Sequence, residues 1–279
     1  MKLAEIARSR NDIMDLNEAI REFYSGRFSD PGHEGFFESS GFSNLGYWLE
    51  STELGKDAAA NLVDKLLEYV PEKRGSILDV ACGQGGTTAR LLNHYEPSRI
   101  TAINLAENQL REAEKRAPGC NFILMDAAEL DFCSASFDTI ICVEAACHFR
   151  TRRKFLGSAL EILKPGGRLI MSDLIFGKHY RYLPDIMTGP KLMPPENHWR
   201  SMKEYRHVCE DVGFVDVVVD DVTNQTWKAF RRKWTKFHMQ EHSGSRRDLI
   251  LERVGLALWY VGWSYLIRDY FLISAGKPA

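Results

Sequence analysis

From residue 76 onward, apolar and polar positions come in alternating blocks. Short runs rich in β-branched residues recur: SILDVA (76–81), RITAIN (99–104), NFILMD (121–126), FDTIICV (137–143) and GRLIMSD (167–173). Between them lie TTARLLNHY, AENQLREAEKRA and RRKFLGSALEIL, which have helical spacing, and one short polar stretch ahead of the fourth run. Strands that are apolar on both faces must be covered on both faces, and helices between them place those strands parallel. KPGG at 164–167 reads as a helix stop and turn before the fifth run. The pattern predicts a doubly wound α/β domain whose ligand sits at the carboxyl ends of the strands.

Further on, SMKEYRHVCEDVGF predicts a helix ended by Gly213, VDVVVDDV a sixth strand and DYFLISAGKP a closing one. Two helix-like segments at 224–262 are inserted between the last two strands. Residues 1–70 are largely helical in pattern, interrupted by a Gly- and Phe-rich stretch at 26–48. The chain divides into this N-terminal helical segment and a sheet domain over 71–279.

The 279 residues carry a formal net charge of -2, which argues against an electrostatically driven nucleic-acid binder. VGLALWYVGWSYLI (254–267), flanked by charges, is shorter than the ~20 residues a spanning helix needs and reads as a buried helix or pocket wall. The first twenty residues have no uninterrupted apolar core and do not form a signal peptide. Six cysteines at 82, 120, 133, 142, 147 and 209 make no C-x-x-C pair. Most lie in apolar runs, as reduced thiols of a cytoplasmic protein do. Oligomeric state stays open.

LDVACGQGGTT follows the first strand and opens a helix. Gly83 and Gly85 free backbone for close approach to a ligand at a helix N-terminus. A nicotinamide fingerprint would place a third small residue at 88, where this chain has Thr88, and would not place Asp79 just before the loop. By itself the loop is equally well a tight turn. Taken in order, ILDVACGQGG, ITAINLAENQL, FILMDAAELDF, SFDTIICVEAACHF and ILKPGGRLIMSDL resemble the class I S-adenosylmethionine-dependent methyltransferases. FSNLGYW (42–48) and the terminal YFLISAGKP are similar to its small-molecule branch, which includes tocopherol C-methyltransferases and a rebeccamycin sugar O-methyltransferase.

That resemblance implies a seven-stranded, mostly parallel Rossmann-like sheet with helical lid insertions. Residues 1–70 would cover the cofactor S-adenosyl-L-methionine and the 224–262 insertion would cap the acceptor. It implies that Asp79 engages the cationic amino group of the methionine portion and that Gly83 and Gly85 let backbone pass beside it. The ribose anchor at the end of strand two is usually acidic and here is Asn104, which loses a charge-assisted bond. Leu105 would lie against adenine, with Gln109 in the same set. Asp126 would accept from the adenine amino group and Ala127 would sit near a ring nitrogen. Glu144 would meet the methionine end, and Tyr24 or Tyr47 would cover the cofactor.

Methyl transfer from a sulfonium needs alignment and a nucleophile relieved of its proton, with no metal required. His148 follows strand four at the ligand edge, and an unperturbed imidazole with a pKa of about 6.5 suits a general base near neutral pH. Asp173 ends strand five at the same edge, where it would orient His148 or touch the acceptor; its plain alternative is a cap. The resemblance supports this His–Asp pair. The expected reaction is methylation of a hydroxyl on a bulky small molecule such as a polyketide, hybrid peptide or glycoside. Carbon or nitrogen methylation, a nicotinamide oxidoreductase and a non-enzymatic binding protein are the alternatives.

Three features remain. His238 and His242 share a helical face without a third ligand and read as solvated histidines. WKAFRRKWTKF puts Trp227, Phe230, Trp234 and Phe237 on one stripe, either packed inward or roofing the acceptor. RYLPDIMTGPKLMPPENHW (181–199) either shapes the pocket or is an exposed connection.

Overall fold

A computed structural model describes residues 16–178, 180, 193–241 and 266–279. Its centre is a seven-stranded sheet in the order β3-β2-β1-β4-β5-β7-β6. The strands are β1 (Ile77–Val80), β2 (Ile100–Asn104), β3 (Asn121–Leu124), β4 (Phe137–Val143), β5 (Leu163–Phe176), β6 (Val215–Asp221) and β7 (Ile267–Gly276). β1 to β5 run parallel, and β7 inserts antiparallel between β5 and β6.

Each central strand feeds two cores with alternate residues. Ile77, Ile141, Ile170 and Leu272 belong to one, while Leu78, Ile140, Leu169 and Ile273 belong to the other. That is why these strands read as continuous apolar runs. The first core is covered by α3 (Gly55–Leu67), which buries Leu62, Val63, Leu66 and Leu67. The second is covered by α6 (Arg152–Ile162) and α7 (Met202–Val212). Ser201 caps α7 and Gly213, at φ +117, ends it where the sequence predicts. The remaining crossovers, α4 (Gly86–Leu91) and α5 (Glu107–Arg116), follow β1 and β2.

Two local expectations change. KPGG is taken up inside β5: Phe137 pairs with Leu163 but Thr139 pairs with Arg168, so the four residues bulge out, with Gly166 at φ +73. The 26–48 interruption holds a short helix α2 (Pro31–Phe37), because Asp30 caps the His33 N–H at 2.8 Å and Pro31 starts the turn. Ahead of it, residues 16–28 form helix α1. Within residues 1–70, α3 is thus a layer of the sheet rather than a cover.

The insertion at 224 begins with a π-type turn (Asn224–Lys228) that runs into α8 (Ala229–Glu241); residues 242–262 lie outside the described residues, as does most of 254–267. The α8 stripe packs inward. Phe230, Trp234 and Phe237 close around Phe36 of α2 with ring centroids 5.6, 4.8 and 5.4 Å away. His238 packs 4.4 Å from the Trp234 ring and is half-buried rather than solvated; His242 lies outside the described residues. No helix among the described residues is long and apolar enough to cross a membrane. Phe36→Ala empties the centre of this aromatic cluster, and we expect urea unfolding to show a loss of about 3–5 kcal/mol.

Candidate active site

The strand order reverses between β1 and β4, and a crevice opens outside their carboxyl ends. It is a cavity of about 1110 Å³ including its mouth. Its floor comes from Asp79 and the loop to Gly83, Asn104 and Leu105 after β2, Asp126 and Ala127 after β3, and Glu144 and His148 after β4. Its roof is α1, which presents Asn17, Ile20, Arg21, Tyr24 and Phe28 at helical spacing. Phe42, Ser43 and Asn44 complete the rim.

Four polar contacts hold α1 across the strand ends. Asn17 Nδ2 donates to Asp126 Oδ2 at 2.9 Å, and Arg21 Nε donates to the Leu105 carbonyl at 3.1 Å. Asn108 Nδ2 donates to Ser25 Oγ at 3.2 Å. The Tyr24 hydroxyl lies 2.8 Å from His148 Nε2, with the two rings edge to face. Phe28 rests on the glycine loop, 3.3 Å from where a Cβ on Gly83 would stand.

Ten of the sequence-selected residues line this cavity: Tyr24, Asp79, Gly83, Asn104, Leu105, Gln109, Asp126, Ala127, Glu144 and His148. Tyr47 does not. Gly85 is also off the wall. It precedes α4 at φ +83, and a Cβ there would stand 2.7 Å from the Ala113 Cα, so helix packing is what demands glycine.

Asp173 is the larger correction. It is fully buried away from the cavity, where Arg152 Nε and Nη2 donate to its two oxygens at 2.8 and 3.0 Å and the Tyr205 hydroxyl donates at 2.9 Å. Its carboxylate is therefore engaged by an arginine and a tyrosine rather than by His148. Asn17, Arg21, Ser43 and Arg150 line the cavity without having been singled out. FSNLGYW already held Ser43, but no local signal marks the other three.

None of the three floor carboxyls, Asp79, Asp126 and Glu144, has a cationic partner in the ion pairs of the described residues. Burial pushes Asp79 up to about 7, opposed by the Thr88 hydroxyl that donates to it at 2.6 Å. Burial also pushes Glu144 up to about 7, opposed by the Tyr270 hydroxyl at 2.6 Å and the Leu45 N–H at 2.7 Å. Glu144 itself sits at φ +55 and Ala81 at +59, so the backbone is strained where two strands leave the sheet. Burial likewise raises the thiols of Cys82, Cys142, Cys147 and Cys209, so these four are poor nucleophiles.

Comparison with known proteins identifies the family. A family model described as a methyltransferase domain matches residues 77–167. The chain is 31% identical over 248 residues to the 27-O-demethylrifamycin SV methyltransferase of Amycolatopsis mediterranei, covering 84% of this chain and 89% of that one. It is 30% identical over 221 residues to the erythromycin 3''-O-methyltransferase of Saccharopolyspora erythraea, covering 73% and 71%. The solved geranyl diphosphate C-methyltransferase of Streptomyces coelicolor A3(2) shares the fold, with a TM-score of 0.70 at 14% identity over 94% of this chain and 98% of that one. The chain belongs to the class I S-adenosylmethionine-dependent methyltransferases that act on small molecules. S-adenosyl-L-methionine is its cofactor, which removes the nicotinamide reading.

The raised Asp79 has a measurable consequence. In the folded, ligand-free chain it keeps its proton up to about pH 7, against about 3.8 when unfolded. The folded state therefore binds more protons over that interval and loses stability as pH rises through it. Asp79→Asn removes the loss. Urea unfolding at a series of pH values should show the variant gaining on the wild type by up to about 4 kcal/mol between pH 4 and 7.5. A difference that stays flat with pH would contradict the assignment.

Proposed function

We propose that this enzyme transfers the methyl group of S-adenosyl-L-methionine to a hydroxyl of a bulky natural product such as a polyketide, hybrid peptide or glycoside. The two relatives at 30% identity or more support oxygen as the acceptor atom, since one is named an erythromycin 3''-O-methyltransferase and the other a methyltransferase of 27-O-demethylrifamycin SV.

The cavity residues suit the cofactor. Asp79, buried with one neutral partner, is the group that a cationic ammonium would match, and Gly83 keeps the adjoining wall bare. Asn104 has its amide nitrogen engaged by Gln109 Oε1 at 2.9 Å, so its oxygen is the atom to offer a ribose hydroxyl. Leu105 flanks the adenine position. Asp126, whose Oδ1 accepts from the Ala128 N–H at 2.8 Å, meets the adenine amino group, with Ala127 beside it. Glu144 closes the methionine end, and Tyr24 with the rest of α1 forms the roof. When bound, S-adenosyl-L-methionine supplies an electrophilic methyl and leaves as S-adenosyl-L-homocysteine.

His148 is the general base. The observation that carries this role is the Tyr24 hydroxyl 2.8 Å from its Nε2, the arrangement a substrate hydroxyl would adopt against a base. As the acceptor oxygen bonds the methyl carbon, its proton passes to Nε2. α1 and the 42–44 rim stand over the site and narrow the directions from which an acceptor can approach, so that alignment contributes to the rate. We place the reaction in the cytosol, in keeping with six free cysteines.

A panel of hydroxylated polyketides, hybrid peptides and glycosides, incubated with enzyme and ¹³C-methyl-labelled cofactor, should give S-adenosyl-L-homocysteine and an O-methyl signal by NMR. Label on carbon or nitrogen would shift the reading to those alternatives, and no homocysteine product with any acceptor would sink it. His148→Ala should lower kcat by about 10²–10⁴-fold while the Kd for S-adenosyl-L-homocysteine holds.

A further inference from the structure

Asn197 ends a short 3₁₀ turn (Pro195–Asn197) and is 1% exposed. Its side chain is fully engaged. One amide nitrogen donates to the Cys147 carbonyl at 3.0 Å and to the Phe149 carbonyl at 2.6 Å, while Oδ1 accepts from the Arg152 N–H at 2.9 Å. Those two carbonyls flank His148. A single side chain thus grips the backbone on both sides of the residue that carries the imidazole. The turn's own bonds, His148 N–H to Ala145 O at 2.9 Å and Phe149 N–H to Ala146 O at 3.2 Å, are local and leave its tilt against the sheet undetermined.

Behind Asn197 the grip is anchored to the sheet. The Arg152 guanidinium donates to the Asn197 carbonyl, to the Leu174 carbonyl at 2.7 Å and to both oxygens of Asp173. It also lies over the Trp199 ring at 5.3 Å. None of Asn197, Arg152 and Asp173 touches the cavity. As a stabiliser alone such a cluster has little advantage over apolar packing, because both charges must be desolvated. What apolar packing cannot do is aim two particular carbonyls, and errors near 1 Å in a reacting group cost on the order of 100-fold in rate.

We propose that Asn197 is a positioning residue for His148, with Arg152 and Asp173 acting through it. The inference rests on His148 as the base, but its test does not use turnover. In full-length protein labelled with ¹⁵N-histidine and saturated with S-adenosyl-L-homocysteine, the ring signals of His148 are those that vanish in His148→Ala. In Asn197→Ala these signals should shift by more than a linewidth or broaden, while those of His33 and His207 stay in place. Asn197→Asp keeps the volume and the Arg152 contact but removes both N–H donors, and it should do the same if the alanine variant fails to fold. A folded variant with wild-type His148 signals and only a lower Tm overturns the proposal. Loss of the base reading would show separately, as His148→Ala with undiminished turnover.

Discussion

A sheet buried on both faces has nowhere to do chemistry except at its strand ends. In this chain the central strands commit most of their residues to two large cores, so the polar side chains that line the cavity gather where β1, β2, β3 and β4 end. The reversal of strand order then separates the crossovers and leaves the crevice in which those side chains meet. Asp79, Asn104, Asp126 and His148 come from four different strand exits, yet they share one cavity because the parallel register sets all four exits at one edge.

What closes that edge is not the sheet but α1. Its inward face supplies an amide, a guanidinium and a phenol, each bonded to a different strand exit. Such contacts are individually weak, about 1 kcal/mol net. A helix held by a few of them fits the need of a site that must admit a cofactor and an acceptor and release both products. The two cores beneath it have no such freedom, and the strain at Ala81 and Glu144 is tolerated because they hold those positions.

The ion pair of Arg152 and Asp173 illustrates how a residue can stand at the right edge and face the wrong way. Both are buried to 1% or less. The pair is supported by Tyr205, Leu174 and Asn197, as it must be, since an ion buried without partners costs several kcal/mol. Strand position alone brings Asp173 near the catalytic edge; alternation within β5 turns it to the α6–α7 side instead.

The α/β architecture, the five early strands, the crossover helices and most floor residues were legible in the sequence. All are encoded locally, by periodicity and by a residue's place just after a strand. The polar grip behind His148 was not legible. It joins Asn197 from a proline-rich connection to carbonyls 48 and 50 residues away, and hydrogen bonds to backbone leave no side-chain pattern to read. The role of Gly85 was misplaced for a similar reason, because its constraint comes from Ala113 on the next helix. The aromatic stripe of α8 was visible, but which surface it covers depended on Phe36, almost 200 residues earlier. By itself the sequence determined the sheet, its edge and the identity of the residues at that edge. Only the tertiary structure decided which way each side chain turned, because that choice is made by partners distant along the chain.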